Sequence, residues 1–160
     1  MSPSRVWKLM TAAQRLRAGQ ALWAEREAAS DQVEAVALIA KQKNFRPKTV
    51  SGLDRERKAS YLASVPNLPE PLAARLLVLY HLAEARPMMA AFLDAVGIAH
   101  ENGLIGENAT PPEAPKVAAA AAAIAKTYPA RDVALYLNTL LWQDPSSWGA
   151  LQGLPEMEIT

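Results

Sequence analysis

The stretch Leu72-Ala73-Ala74-Arg75-Leu76-Leu77-Val78-Leu79-Tyr80-His81-Leu82-Ala83-Glu84-Ala85 decides the fold class. Pro71 stands before it and Pro87 follows it, so the chain is set to enter and leave a helix. Within it only Arg75, His81 and Glu84 are charged or titrate near neutral pH, and almost no polar face is left. A helix that is apolar all round is buried on most sides. We therefore expect Leu72–Ala85 to be the central helix of an all-α bundle.

The rest of the chain supports that class. Of 160 residues, 32 are Ala and 20 are Leu, against 14 Val plus Ile, so strong helix formers dominate. No alternating run flanked by hairpin residues stands out. We expect one irregular bundle of about six to eight helices over residues 1–160, a length typical of one domain. Basic helices in 1–65 would pack on apolar helices in 66–154, and 155–160 would be a loose tail. No register-preserving internal repeat is present.

The boundaries follow from caps and prolines. Pro3 opens a short helix to Met10. Thr11 and Gln14 form a capping box for a second, with the stripe Ala12, Leu16, Gly19 and Trp23 facing inward. Ser30 or Asp31 caps a third, with Val33, Val36, Ala37 and Ala40 inward. Phe45 to Val50 is a connector, because Pro47 disfavours the α conformation at Arg46. Ser51 and Asp54 read as a second capping box, opening a helix to Ser64. After the central helix, Pro87 starts a helix ending at Val96, with Gly97 as its C′ residue. Residues 98–115 read as loop. Two further helices run about Pro115–Tyr128 and Arg131–Trp142, and Asp144-Pro145 starts a final turn holding Trp148.

Composition excludes several chemistries. Cysteine is absent, which removes disulfides, thiolate metal sites and Cys nucleophiles. His81 and His100 are the only histidines. No apolar run of membrane-spanning length occurs, and the first residues lack a signal-peptide core. The chain reads as cytoplasmic, and its Ala/Leu/Arg/Pro bias as bacterial, from a GC-rich genome. No phosphate-binding glycine loop or nucleophile elbow is present, Gly103 and Gly106 being too sparse. Ser146 and Ser147 read as helix-start serines.

Three constellations remain. His81 and Glu84 lie three apart on the central helix, where Glu-x-x-His would be half of a di-iron motif. Here the order is reversed and no second copy exists, so no metal or cofactor is expected. Asp94 does not complete it, and His100-Glu101 lies in the loop. The pair reads as a buried titratable pair, with a small enzyme around it as a third functional reading.

Charge is divided: residues 1–60 hold 12 Lys/Arg against 6 Asp/Glu, and 61–160 hold 5 against 10. Lys41, Lys43, Phe45, Arg46 and Lys48 would form a nucleic-acid-binding segment, combining phosphate contacts with an aromatic. Finally, Leu135 and Trp142 are seven apart and opposite the stripe Val133, Leu137, Leu140. With Trp148 they form a candidate interaction surface, covered by the tail or by a partner. The leading expectation is a non-enzymatic interaction or adaptor protein, engaging a protein partner or its own copies. Nucleic-acid binding is the alternative.

Overall fold

Helix-capping chemistry and proline positions lay out the elements. The computed structural model describes residues 1–160. Its ten helices are α1 (Pro3–Leu9), α2 (Ala12–Ala24), α3 (Ala29–Lys43), α4 (Pro47–Ser51), α5 (Arg55–Ala63), α6 (Glu70–Glu84), α7 (Arg86–Val96), α8 (Ala114–Thr127), α9 (Ala130–Gln143) and α10 (Pro145–Trp148). Two 3-10 turns, Gly149–Leu151 and Pro155–Met157, close the chain. The all-α class holds, with more helices than the six to eight expected. No single helix is long and apolar enough to cross a membrane.

The excess comes from short helices. Arg46 is extended, as its position before proline requires, and Pro47 then begins α4 where a connector was expected. Ser51 is consequently the last residue of α4 and caps nothing. Asp54 alone caps α5, its carboxylate accepting the Arg57 N–H at 2.8 Å. The Thr11/Gln14 capping box of α2 is complete in both directions.

The loop reading of 98–115 also needs correction. His100–Glu101 and Leu104–Ile105 pair as a small antiparallel hairpin, β1 and β2, with His100 opposite Ile105. Its turn residues Asn102 and Gly103 have φ of +49° and +90°. Asn-Gly is the strongest two-residue hairpin signal, because both positions tolerate positive φ. A Cβ on Gly103 would also come within 3.0 Å of the Met89 Cβ, so glycine is required there twice over.

The chain divides into two compact units, Ser2–Tyr80 and His81–Thr160, with the division inside α6. In Ser2–Tyr80, α2 lies close along α5. A Cβ on Gly19 would stand 3.1 Å from both the Cα and the carbonyl oxygen of Ala59. The buried face of α2 is Ala18, Gly19, Leu22 and Trp23, while Ala12 is exposed. At the start of the unit, Ser4 donates from both its N–H and its hydroxyl to the Glu70 carboxylate. Glu70 thus does for α1 what Ser2 does not, since Ser2 makes no capping bond. These Ser4 bonds hold the Glu70 carboxyl below the usual carboxylate range. Trp7 donates its indole N–H to the Val65 carbonyl at 2.9 Å.

In His81–Thr160, α7, α8 and α9 surround one core. Phe92, Leu93, Val117, Ala121, Leu137 and Leu151 are among its fully buried members. Trp148 joins it, its ring centroid 5.6 Å from that of Phe92, which meets Tyr136 edge-on at 5.8 Å.

The region expected at the centre of the bundle is buried: Leu72, Ala73, Leu76 and Leu77 are essentially inaccessible. It starts two residues early, at Glu70. The longest buried run lies elsewhere, in α9, where Val133 through Leu140 are all buried.

The Gly19 contact yields a prediction. Alanine is intrinsically better than glycine in a helix by about 1 kcal/mol. At position 19 the clash is with backbone, so the two helices must part. Gly19→Ala should destabilise the protein by roughly 1–3 kcal/mol in urea unfolding. Gly52→Ala, where the nearest atoms lie at 3.6 Å and φ is −78°, should be neutral or stabilising.

Candidate functional site

Leu135, Trp142 and Trp148 do not make one surface. Leu135 is fully buried and Trp148 is 3% exposed, leaving only Trp142 open, at 41%. The stripe Val133, Leu137, Leu140 is buried as expected, but Leu135 opposite it is buried too, because the polar residues of α9 have local partners. Asn138 donates to the Ala134 carbonyl at 2.8 Å, and Thr139 donates to the Leu135 carbonyl at 2.8 Å. Polar side chains satisfied within their own helix are inexpensive to bury. The tail makes contacts with α9. Asn138 makes a second bond, to the Met157 carbonyl at 2.9 Å, and Arg131 reaches the Thr160 carbonyl. Trp148 packs on Phe92 in the core.

His81 and Glu84 are not a buried pair. His81 is 2% exposed, whereas Glu84 is exposed. The Thr139 hydroxyl has one proton and gives it to Leu135. It must therefore accept from His81, whose Nε2 lies 3.0 Å away. That fixes the proton on Nε2 of a neutral ring. Burial lowers the His81 pKa to about 3, opposed in part by the Leu135 carbonyl. The ring stacks edge-on to Tyr136 at 5.6 Å. Burial alone pushes the Tyr136 hydroxyl pKa upward.

The structure instead joins His100 to Asp94. The Gly103 N–H donates to His100 Nδ1 at 3.1 Å, so Nε2 carries the proton and donates to Asp94 at 2.7 Å. Both ring nitrogens are used in holding the hairpin. Arg86 adds to this by donating to the carbonyls of Leu82 and Asn102. Ser146 and Ser147 bond to Asp144, at 2.7 and 3.1 Å, as the start of α10. These bonds hold the Asp144 carboxyl below its usual range. No three His, Asp or Glu side chains gather in an arrangement that would ligate a metal.

The basic segment is partly engaged in packing. The Lys43 ammonium sits 5.6 Å from the Tyr61 ring, and Phe45 meets the same ring edge-on at 5.9 Å. Phe45 remains 40% exposed, and Lys41, Arg46 and Lys48 are exposed.

Two concavities bear on the candidate site. One, about 180 Å³, lies in His81–Thr160 beside the hairpin and includes Ile98, Ile105, Leu140 and Trp148. The larger, about 430 Å³, lies in Ser2–Tyr80 and is lined by Trp23, Val33, Val36, Ala37, Pro47 and Lys58, among others. Its cause is the rotation of α3. Gln32 donates to the carbonyls of Leu22 and Glu25, each at 2.9 Å. Each of these carbonyls also accepts a long backbone bond at 3.4 Å, Leu22 from the Glu25 N–H and Glu25 from the Ala28 N–H. With Gln32 turned to them, α3 buries Ala35, Ile39 and Ala40. Of the stripe expected inward, only Ala40 is buried. Ala37 is exposed, and Val33 is 71% exposed, the most open large apolar side chain of the chain. Sequence periodicity missed this because α3 carries two apolar stripes. The glutamine that chooses between them acts through backbone carbonyls. The Lys58 ammonium lies 5.6 Å from the Trp23 ring at the groove's edge.

No described protein family, curated protein or solved structure matches the chain.

The neutral, buried His81 gives a pH prediction. The unfolded chain takes up a proton near pH 6.5, and the folded chain only near pH 3. Its contribution is therefore complete above about pH 6.5. It is lost as pH falls toward 3, by roughly 1.4 kcal/mol per pH unit. Between pH 6.5 and 5 the wild type should lose about 2 kcal/mol more than His81→Gln. Urea unfolding at the two pH values checks this.

Proposed function

We propose that the chain is a non-enzymatic, cytoplasmic helical interaction protein, and that its contact surface is the groove along α3. The observation that carries this reading is the outward apolar stripe of α3. Val33 is 71% exposed above a concavity of about 430 Å³ lined mainly by apolar side chains. Concave apolar sites with few polar groups are where proteins receive ligands and partner segments. The titratable groups support no competing enzymatic reading. His81 is enclosed, and both nitrogens of His100 are bonded within the protein.

A photo-crosslinking residue at position 33 tests the proposal in cells of the native host. Position 126 on α8, also exposed, serves as control. A discrete protein adduct should form from position 33 and not from 126. Adducts to nucleic acid alone, or the same diffuse products from both positions, would contradict it.

A further inference from the structure

We infer that the occupant of the α3 groove is an amphipathic helix of another protein whose flanks are acidic. This rests on the reading of the groove as the contact surface and adds the chemistry of the partner. The concavity is bounded by Val33, Val36 and Ala37 on α3, Pro47 on α4, and Lys58 on α5. A furrow between helices receives the apolar side chains of one helical segment, spaced i, i+3/i+4, i+7.

The charges around the furrow are cationic. Lys58 lines it directly. Lys41 follows Ala37 by one turn, continuing the Val33–Ala37 row in steps of about 40°, and is exposed. Lys48 is exposed on α4 between the lining residues Pro47 and Ser51. Nearby acids are engaged otherwise: Asp31 pairs with Arg75, and Asp54 caps α5. Glu34 lies within about 20° of Lys41 round α3, so the two charges share one line of that helix. Ser2–Tyr80 as a whole carries 13 Lys/Arg against 7 Asp/Glu. An acidic flank therefore meets the complementary charge of Lys48 and Lys58 on the α4 and α5 bank, and a basic flank is repelled there. Nucleic acid fits the furrow poorly. Its one aromatic, Trp23, is 6% exposed and lies under Lys58, so it offers no open face for a base.

The test screens the full chain against displayed helices about five turns long, with fixed apolar anchors and randomised flanks. Enriched sequences should carry Asp and Glu in the flanks. Their affinity should fall at least tenfold on Val33→Glu and several-fold on the double change Lys41→Glu, Lys48→Glu. It should also weaken with salt. Val33 and both lysines are exposed, so these variants should keep the wild-type melting temperature.

Binders with neutral or basic flanks that still depend on Val33 would overturn the acidic partner and leave the groove as a contact surface. No binder sensitive to Val33→Glu would overturn both. Self-association abolished by Val33→Glu would make the occupant a second copy and overturn the inference. So would Val33-dependent binding to phosphatidylserine vesicles.

Discussion

The side-chain amide of Gln32 on α3 binds the carbonyls of Leu22 and Glu25 at the end of α2, each at 2.9 Å. From that constraint follows the architecture of the N-terminal unit's surface. Those carbonyls otherwise accept only long backbone bonds of 3.4 Å, and each shorter bond from Gln32 contributes about 1 kcal/mol net. One side-chain amide that serves both Leu22 and Glu25 fixes the rotation of α3. It sends Ile39 into the core and Val33 into solvent. The exposed apolar stripe is thus the other side of the face that Gln32 holds against the end of α2. Since α3 has apolar residues on two faces, burial alone distinguishes weakly between the rotations. The polar requirement decides.

The C-terminal unit follows the same logic to a different end. Asn138 and Thr139 return their protons to carbonyls one turn back, and Thr139 then accepts the proton of His81. Polar side chains that would otherwise force one face of α9 into water become compatible with burial on all sides. The helix buries eight consecutive residues as a result. The tail contributes the Met157 carbonyl, so Asn138 joins the end of the chain to its core. His100 and Arg86 do similar service for the hairpin. In this unit histidine, asparagine, threonine and arginine side chains bond to backbone.

Much of the fold was legible because it rests on local rules. The Thr11/Gln14 box, the prolines at helix starts and Gly97 with φ of +77° all mark their elements in sequence. The apolar run around Leu76 declared its own burial. Some of the remainder was legible and overlooked: Asn102-Gly103 signals a hairpin turn on its own. The candidate site was less accessible to sequence. The groove depends on a long-range choice between two faces of α3, made by hydrogen bonds from Gln32 to a neighbouring helix. Periodicity assigns Val33, Val36 and Ala37 inward, as it assigns Leu135 outward. Both errors have one origin. Hydrophobic patterns register side-chain polarity, not whether backbone carbonyls are paired.

The rotation of α3 is therefore the claim to measure. The chain contains no cysteine, so one introduced thiol reports a single position. The labelling rates of Val33→Cys and Ile39→Cys by a small thiol reagent, compared in the folded protein, read the rotation directly. The account predicts that Cys at 33 reacts at nearly the rate of a free thiol, and that Cys at 39 reacts at least a hundredfold more slowly. Equal rates, or protection at 33 with reaction at 39, would contradict it.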